Sequence, residues 1–452
     1  MSKRILVIGA GPTGLGAGTR LQQLGYDNWQ IYERHAVAGG LAGSFTTDKR
    51  FTWDIGGHVV FSHFKEFDQF LVDTLADETL QHERESWVRI FNTWVPYPFQ
   101  NNIRHLPPAA QMECLLGLAK LQGRKPSTAN FEKWIHTIFG AGIAKYFMIP
   151  YNNKVWATPP AKMSAAWIAE RVSVVSLEKV LRNVVEQKDD ISWGPNNRFS
   201  FPKYGGTGEI YRRGAQRLGD RVTCAREVVE IDTAARTVKL SSGATERYDV
   251  LINTMPLTEL VKRLRPARAD LKAAARKLMF SGGYIVGIGL EKPYPTTKCW
   301  TYYPEANCPF YRVTFFHNYS PNNVPGGDVG RYSAIMAETS YSRFKPESKD
   351  AIVEQTIQGC INAGLIEDAD RGRIVEAWLF DIDYSYPIPS LQRDRGLAVL
   401  QPELEKLDIL SRGRFGAWRY EVGNMDHSFM MGWQAAERVV NGGEESVYHS
   451  KG

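Results

Sequence analysis

The chain has 452 residues, of which 43% are hydrophobic and 23% charged, a composition that indicates a globular protein of two or three domains and excludes extensive disorder. The 55 lysines and arginines outnumber the 49 acidic residues by only a small margin, which does not indicate nucleic-acid binding but suits a site for phosphorylated ligands. The five cysteines include no CxxC pair, so neither a disulfide framework nor a metal site is predicted, and the cytoplasm is the expected compartment. The sequence contains no uncharged apolar stretch of about 18 residues, so no membrane span is predicted.

The first 33 residues predict a β-α-β unit with a glycine-rich turn. A short buried-type strand, residues 5–8, runs directly into Gly9-x-Gly11-x-x-Gly14, and a helical pattern follows. In such a turn Gly9 permits the sharp bend, Gly11 admits a pyrophosphate, and Gly14 allows the helix to approach the strand. Glu33 ends the second strand, where a carboxylate can accept hydrogen bonds from ribose hydroxyls. This arrangement predicts a dinucleotide-binding start.

Further glycine segments favour FAD over NAD as the dinucleotide. Gly40 and Leu41 belong to a second glycine turn at 39–42, and a third glycine pair precedes His58. Glycines let the backbone approach a flat ring system closely. The segment 205–208 and the strand 249–254 complete a pattern similar to that of flavin amine-oxidase-like proteins.

The rest of the chain predicts a helical region followed by an antiparallel sheet. Helical spacing is expected over 107–142, 164–185, 351–364 and 428–441. Short strands are expected at 227–231, 237–240, 250–254, 282–290, 300–303, 311–318 and 332–338. The segment 150–160 is predicted to be rich in turns. The tail after Gly442 is short and polar and is expected to fray.

Four blocks dense in aromatic, Asn and Arg residues carry a specific resemblance. They are residues 95–102, 150–156, 299–312 and 413–424. Together they resemble the UDP-galactopyranose mutases, in particular the eukaryotic-type branch, and the similarity extends from the first strand to about Asn441.

The resemblance implies an α/β fold built from three domains. The Rossmann-type FAD-binding domain is expected to be discontinuous, with segments 1–80, 192–260 and 385–452. A mainly helical substrate domain is expected over 103–190. An antiparallel β-sheet domain would combine 81–102 with 261–384.

The resemblance also implies a flavin-dependent isomerase. Members of the family convert UDP-galactopyranose to UDP-galactofuranose with no net redox change, and N5 of reduced FAD attacks the anomeric carbon. NADPH is the expected reductant. Arg171 and Arg312 match the two arginines that grip the diphosphate, and arginine suits this role because its planar fork stays charged. Gly57 and His58 match a loop beside the flavin ring.

The remaining implied site residues match substrate, flavin and NADPH contacts. Arg414 and Asn424 match flavin-side positions, and Arg84 and Ser86 match positions that bind NADPH. The positions implied on the substrate side are Phe61, Tyr97, Gln100, Asn152, Trp156, Asn196, Trp300, Tyr302, Tyr386 and Tyr420.

Three alternatives stay open from the sequence. The substrate could be a related UDP-sugar, the chain could be an FAD-dependent amine-oxidase-like oxidoreductase, or it could bind flavin with a degenerate site. The segment 323–332 is shorter than in fungal relatives, so the number of subunits stays open, with a homo-oligomer among the alternatives.

Overall fold

The computed structural model describes residues 2–168, 175–191 and 197–450, in which buried strands form the centre and helices cover them. The strands are β1 Ile5–Ile8, β2 Trp29–Tyr32, β3 Ser44–Thr46, β4 Thr52–Asp54, β5 Thr79–Glu83, β6 Ser86–Ile90, β7 Thr93–Pro96, β8 Arg198–Pro202, β9 Val222–Thr223, β10 Val228–Asp232, β11 Thr237–Leu240, β12 Thr245–Arg247, β13 Val250–Asn253, β14 Leu264–Arg265, β15 Met279–Leu290, β16 Trp300–Tyr302, β17 Arg312–Phe315, β18 Ser333–Tyr341, β19 Ile374–Ile388 and β20 Ile409–Ser411. The helices are α1 Pro12–Gln23, α2 Lys65–Leu75, α3 Pro108–Ala119, α4 Phe131–Ile143, α5 Ile149–Trp156, α6 Leu177–Val185, α7 Gly208–Leu218, α8 Leu257–Arg263, α9 Ala269–Ala275, α10 Ile352–Asn362, α11 Arg393–Glu405, α12 Met425–Asn441 and α13 Ser446–His449. In these ranges no helix has the length and apolar character needed to cross a membrane.

The N-terminal β-α-β unit lies at the centre of a parallel sheet. Its strand order is β20-β13-β1-β2-β9, and every neighbouring pair is parallel. Strands β1 and β13 are buried along their whole length, which explains their continuous apolar sequences. The predicted strand at 250–254 therefore lies directly beside the first strand, and the carboxyl ends of both strands lead to the same edge.

The middle of the chain forms a larger, mainly antiparallel sheet, as the strand pattern predicts. Its order is β19-β15-β18-β17-β16-β6-β7, with one parallel pair between β16 and β6. Strand β18 pairs with β17 so that Glu338 lies opposite Arg312. The core of this sheet continues into the helical region around α3, α4 and α5. The fold is thus the expected mixture of a parallel cofactor-type sheet, helices and an antiparallel sheet.

Three helical expectations differ from the structure. The region 107–142 contains two helices, α3 and α4, separated by residues 120–130. The segment predicted to be rich in turns contains helix α5, with Pro150 in its first turn, where proline is tolerated. The predicted helix at 164–185 is present only from Leu177 among the described residues. Ser164 instead donates its N–H to the carbonyl of Pro389, so the chain there runs beside another segment.

The domain boundaries stay predictions. Strand β14 pairs with β10, which lies in the segment 192–260 of the expected FAD-binding domain, although β14 itself falls in the segment expected to belong to the antiparallel sheet domain. Strand β19 crosses the boundary expected at residues 384 and 385 without interruption.

The described part of the C-terminal tail, residues 443–450, is packed and not frayed, which corrects the expectation from its polar sequence. Glu445 is only 2% exposed and accepts hydrogen bonds from Arg412, at 2.5 and 2.7 Å, and from Arg438, at 2.6 Å. The Arg412 guanidinium also lies 3.8 Å from the ring centre of Tyr448. Since Arg412 is fully buried, its charge requires this carboxylate, and the tail supplies it.

Glu445→Gln is therefore expected to destabilise the protein by about 3 kcal/mol, because it leaves the buried Arg412 charge with Glu405 as its remaining partner. Urea denaturation measures the effect. Glu444→Gln, which changes an exposed neighbouring carboxylate, is the matched control and should alter stability by less than about 0.5 kcal/mol. Equal stabilities of the two variants would contradict the assigned role of the tail.

Candidate active site

The predicted glycine turn connects β1 to α1 and forms an open cradle. Gly9 has φ +100°, and a Cβ on Gly14 would lie 1.8 Å from the Gly9 carbonyl oxygen, so only glycine allows this approach of helix and strand. Gly11 is the residue that precedes helix α1, and no side chain caps that helix end. The N–H groups of its first turn are therefore suited to an anion such as pyrophosphate.

Glu33 lies beside this turn, as the sequence predicts. Its carboxylate accepts hydrogen bonds from the N–H groups of Ala10 and His35, both at 2.8 Å. The second glycine turn packs against the first, since Gly39 donates its N–H to the Ala10 carbonyl and a Cβ on Gly11 would lie 3.7 Å from the Gly40 Cα. Leu41 follows and is half-buried. The two turns and the carboxylate together form a surface that fits a dinucleotide.

The glycine segments at 54–58 and 205–208 meet through Asp54. This buried carboxylate accepts hydrogen bonds from the Thr207 hydroxyl at 2.6 Å and from the Thr207 N–H at 3.1 Å. Burial raises the pKa of Asp54 to about 7, although hydrogen bonds from Ser44 and Thr207 oppose the rise. Asp54 thus fixes the start of the loop that carries Gly57 and His58.

Arg312 and Gly57 are brought together by Glu338. Arg312 donates from Nε and Nη2 to the two carboxylate oxygens, at 2.5 and 2.8 Å, and the Gly57 N–H donates to Oε1 at 3.0 Å. Burial would lower the pKa of Arg312, but the charge of Glu338 outweighs it and holds this pKa well above its ordinary value. The guanidinium is therefore a fixed cation next to the Gly57 loop.

Among the buried polar side-chain atoms that lack a hydrogen-bond partner within the described ranges, two belong to predicted flavin-side residues. They are Nδ1 of His58 and Nε of Arg414. A buried nitrogen without a partner is costly, and a flavin bound here would supply the missing partner of each. Arg414 also donates from Nη1 to the Gly423 carbonyl at 3.1 Å. Together with the glycine cradle, these atoms fit a bound flavin dinucleotide.

His58 is expected to be neutral through the physiological pH range. Burial lowers the pKa of His58 to about 4, and Arg312 and Arg414 act in the same direction. The unfolded chain binds a proton near pH 6.5, whereas the folded chain does so only near pH 4, so stability falls as the pH drops between these values.

Wild type should lose about 2 kcal/mol more stability between pH 7 and pH 5 than His58→Gln. Asp54 acts with the opposite sign over this range, because its raised pKa favours the folded form as the pH falls. Both wild type and His58→Gln contain Asp54, so its contribution cancels when the stability change of one protein is subtracted from that of the other. Urea denaturation of the flavin-free proteins measures it, and parallel pH slopes would contradict a neutral buried His58.

One aromatic group surrounds Arg414. Its guanidinium carbon lies 5.1 Å from the ring centre of Tyr386 and 5.4 Å from that of Tyr420. Trp156 packs edge-on against both tyrosines, at centroid distances of 5.5 and 4.7 Å. The hydroxyl of Tyr386 lies 3.2 Å from that of Tyr311, which in turn donates to Glu338. This group therefore connects the Arg414 side to the Arg312 side.

A second aromatic group lies along the antiparallel sheet. Tyr302 contacts Tyr97 at 4.9 Å between ring centres, and the Trp300 indole N–H donates to the Tyr302 hydroxyl at 2.6 Å. Arg84 lies over the rings of both Tyr97 and Trp300, at 5.9 and 5.0 Å. The structure therefore brings a predicted NADPH residue and three predicted substrate residues into one cluster.

Phe61 joins the edge of this cluster through Phe199. Its ring centre lies 6.4 Å from that of Phe199, which lies 5.8 Å from that of Trp300. Gln100 is buried in a short turn after β7, and the Ser86 hydroxyl is buried and lacks a partner among the residues described.

The remaining predicted residues take other places. The side chain of Asn152 stays within helix α5, where it bonds the Met148 carbonyl and accepts from the Trp156 indole at 3.2 Å. Asn424 is exposed at the start of α12. Arg171 and Asn196 lie outside the described residues.

Glu338 is the main site residue that the motif analysis missed. Strand β18 is otherwise apolar or small over most of its length, and a lone glutamate in a buried strand is a signal of a paired charge. Tyr311 and Tyr151 were also missed. Tyr151 packs edge-on against Tyr302 at 5.3 Å between ring centres.

His63, Asp426 and His427, whose side chains are of types that can bind a metal, lie together outside the two aromatic groups. Nδ1 of His63 is 2.8 Å and Nδ1 of His427 is 2.9 Å from the carboxylate of the buried Asp426. These are hydrogen-bond distances, so Asp426 connects the 61–64 segment to the start of α12. The absence of a metal site stays a prediction.

The parallel sheet, the glycine cradle and the buried cationic and aromatic cluster define a protein of the flavoprotein class. The sequence matches the family described as flavin containing amine oxidoreductase over residues 12–360. A solved structure of a reduced UDP-galactopyranose mutase is 42% identical, with a TM-score of 0.95 over 100% of this chain and 97% of that chain. The chain therefore belongs to the flavin containing amine oxidoreductase family and, within it, to the UDP-galactopyranose mutases.

More distant solved structures share the fold alone. A wild-type putrescine oxidase bound to putrescine is 16% identical, with a TM-score of 0.66 over 97% of this chain and 99% of that chain. A CLA-producing fatty acid isomerase from P. acnes is also 16% identical, with a TM-score of 0.64 over 96% of this chain and 98% of that chain.

Proposed function

We propose that the protein is a flavin-dependent isomerase that converts UDP-galactopyranose to UDP-galactofuranose without net redox change. The observation that carries this proposal is the full-length similarity to a UDP-galactopyranose mutase. The charged and aromatic residues around Arg312 are consistent with it. We assign the chain to the eukaryotic-type branch on the four sequence blocks described above.

The diphosphate of the substrate is proposed to bind Arg312 together with Arg171. Arg312 suits this role because Glu338 fixes its Nε and Nη2 edge, and Nη1 donates to no partner among the described residues. A fixed guanidinium can stabilise the charge that develops as UDP leaves the sugar. Tyr302, Tyr386 and Tyr420 would donate their hydroxyls to the same phosphates.

FAD is proposed to bind across the glycine turns. The turn that contains Gly9, Gly11 and Gly14 would contact its pyrophosphate, and Glu33 would contact its ribose. When bound and reduced, it would supply the nucleophilic nitrogen for attack on the anomeric carbon. Gly57, His58, Arg414 and Asn424 would face its ring end. His58 is neutral and can donate or accept one hydrogen bond without adding charge there.

The uridine and sugar are proposed to lie along the aromatic groups. Tyr97, Gln100 and Phe61 would enclose the uracil end, and Asn152, Trp156, Asn196 and Trp300 would contact uridine or sugar. The aromatic rings also exclude water from the reacting sugar, which favours ring closure over hydrolysis.

NADPH is the proposed reductant, and the cytoplasm, where NADPH is available, is the proposed compartment. Arg84 and Ser86 are the proposed contacts. Arg84 stacks on Tyr97 and Trp300. Ser86, whose hydroxyl is buried, lies opposite Trp300 on the adjacent strand. A UDP-sugar and NADPH would then use neighbouring surfaces.

The test is turnover of UDP-galactofuranose by the purified flavoprotein reduced with dithionite or with NADPH. Chromatography should show UDP-galactopyranose from the reduced protein and none from the oxidised protein. Absence of this product with fully reduced protein would overturn the proposal, and a series of UDP-hexoses would define the sugar. Peroxide release from an amine by the oxidised protein would instead support the oxidoreductase alternative.

A further inference from the structure

Glu338 is the point at which the diphosphate side and the flavin side of the proposed site meet. Its carboxylate accepts four hydrogen bonds: two from Arg312, one from the Gly57 N–H at 3.0 Å, and one from the Tyr311 hydroxyl at 2.8 Å. The side chain is only 4% exposed. All acceptor positions of the carboxylate are therefore used by donors from three residues in two segments, the Gly57 turn and the start of strand β17.

The two bonds from Arg312 to Glu338 fix the direction of its guanidinium. Nε and Nη2 are bonded to Glu338, Nη1 donates to no partner among the described residues, and the side chain remains 23% exposed. Nη1 is therefore the donor that Glu338 leaves for an anion. Its charge would then compete with Glu338 for the same guanidinium.

The same carboxylate fixes the backbone at Gly57. A Cβ on Gly57 would lie 2.5 Å from the Thr314 hydroxyl oxygen and 3.2 Å from Oε1 of Glu338, so the turn packs directly on strands β17 and β18. The preceding Gly56 has φ +100°, a conformation that depends on glycine. The position of the Gly57 peptide therefore depends on Glu338.

We propose that Glu338 is a positioning residue that couples diphosphate binding at Arg312 to the conformation of the Gly57 turn beside the flavin. The inference rests on the proposed function of this site. When a diphosphate attracts Arg312, the bonds from Arg312 to Glu338 weaken, and the carboxylate changes its hold on the Gly57 N–H. Nucleotide binding is thereby transmitted to the flavin through one side chain, over a path of two hydrogen bonds.

Glu338→Gln tests the coupling by removing the charge while keeping the size of the side chain. A glutamine has one acceptor oxygen, and its NH₂ group faces a donor of Arg312 or Gly57, so the four bonds cannot all remain. The unpaired Arg312 should bind UDP at least as tightly as in wild type. Turnover should nevertheless fall by about tenfold or more, because the Gly57 turn is no longer fixed.

The decisive measurement is titration of the FAD-loaded protein with UDP, followed by flavin absorbance and by calorimetry. Wild type should show a flavin difference spectrum on binding UDP, and Glu338→Gln should bind UDP with that spectrum lost. A variant that keeps the wild-type difference spectrum would overturn the proposal. So would a parallel loss of UDP affinity and turnover, which a purely structural role predicts.

Two further variants keep the test decisive. Glu338→Asp keeps a carboxylate charge next to Arg312, but its side chain is one methylene too short to reach Gly57 as well. It should therefore bind UDP within about threefold of wild type and show a reduced flavin response. If Glu338→Gln does not fold, an unchanged flavin response in Glu338→Asp overturns the proposal. Glu376→Gln is the control for charge on the same sheet, since Glu376 accepts only from the Trp53 indole among the described contacts.

The outcomes for wild type separate this inference from the proposed function. A wild type that binds UDP and turns over UDP-galactofuranose without any flavin response overturns the coupling alone. A wild type that does not bind UDP overturns both.

Discussion

Arg312→Ala is expected to lower the turnover of the reduced protein by about 10²–10³-fold, with the FAD content unchanged. The reason is that the Arg312 guanidinium is the proposed diphosphate contact, and Glu338 holds it in place with bonds of 2.5 and 2.8 Å. The variant also leaves the Glu338 carboxylate buried without its cation. Steady-state kinetics with UDP-galactofuranose, together with the flavin absorbance of the purified protein, measure the effect.

Two controls accompany this variant. Arg312→Lys keeps a charge but loses the planar fork, so its turnover should lie between those of wild type and Arg312→Ala. Arg331→Ala removes an exposed arginine that pairs with Glu291 on the surface, and it should leave turnover unchanged. Turnover of Arg312→Ala within about threefold of wild type would exclude the assigned role, since each charge-assisted contact to a leaving group should contribute more than that.

Gly14→Ala is expected to prevent flavin uptake. The added Cβ would lie 1.8 Å from the Gly9 carbonyl oxygen and 2.9 Å from its carbon, and these are backbone atoms that cannot rotate away. The turn must open, which moves the N–H groups at the start of α1 away from a pyrophosphate. The variant should purify with less than about a tenth of the wild-type flavin, since the loss of several anion contacts removes most of the binding energy.

Gly372→Ala is the matched control, because a Cβ there would have no heavy atom within 4 Å. It should retain full flavin content, as read from absorbance at the flavin band relative to protein. A fully flavinated, thermally unchanged Gly14→Ala would show that the cofactor does not use this turn.

The parts of the site that the sequence predicts are those in which neighbouring residues along the chain form the feature. The glycine turn needs only a strand, three glycines and a helix in succession, so its geometry could be predicted from residues 5–24. Strand β13 could be predicted because a strand buried on both faces has a continuous apolar sequence.

The parts that could not be predicted depend on contacts between distant segments. The pairing of Arg312 with Glu338 exists only because β17 and β18 adopt one register, which the sequence does not specify. The packed tail depends on Glu445 meeting Arg412, and the spacing of 33 residues gives no local sign of it. Helix α5 was missed because Pro150 and two asparagines favour turns in isolation, whereas Lys154 anchors this helix by donating to the carbonyls of Tyr303 and Phe310.

The strand order β20-β13-β1-β2-β9 has a consequence for how the protein is made. Strand β1 is synthesised before the other members of its sheet, and the sheet receives its last member only when residues 409–411 are synthesised. A growing chain therefore carries its glycine turn for most of translation without the neighbours that complete the cradle. We expect the protein to acquire its cofactor only after residues 409–411 have been synthesised, so that scarcity of riboflavin would reduce the flavinated fraction of finished molecules and not the rate of their synthesis.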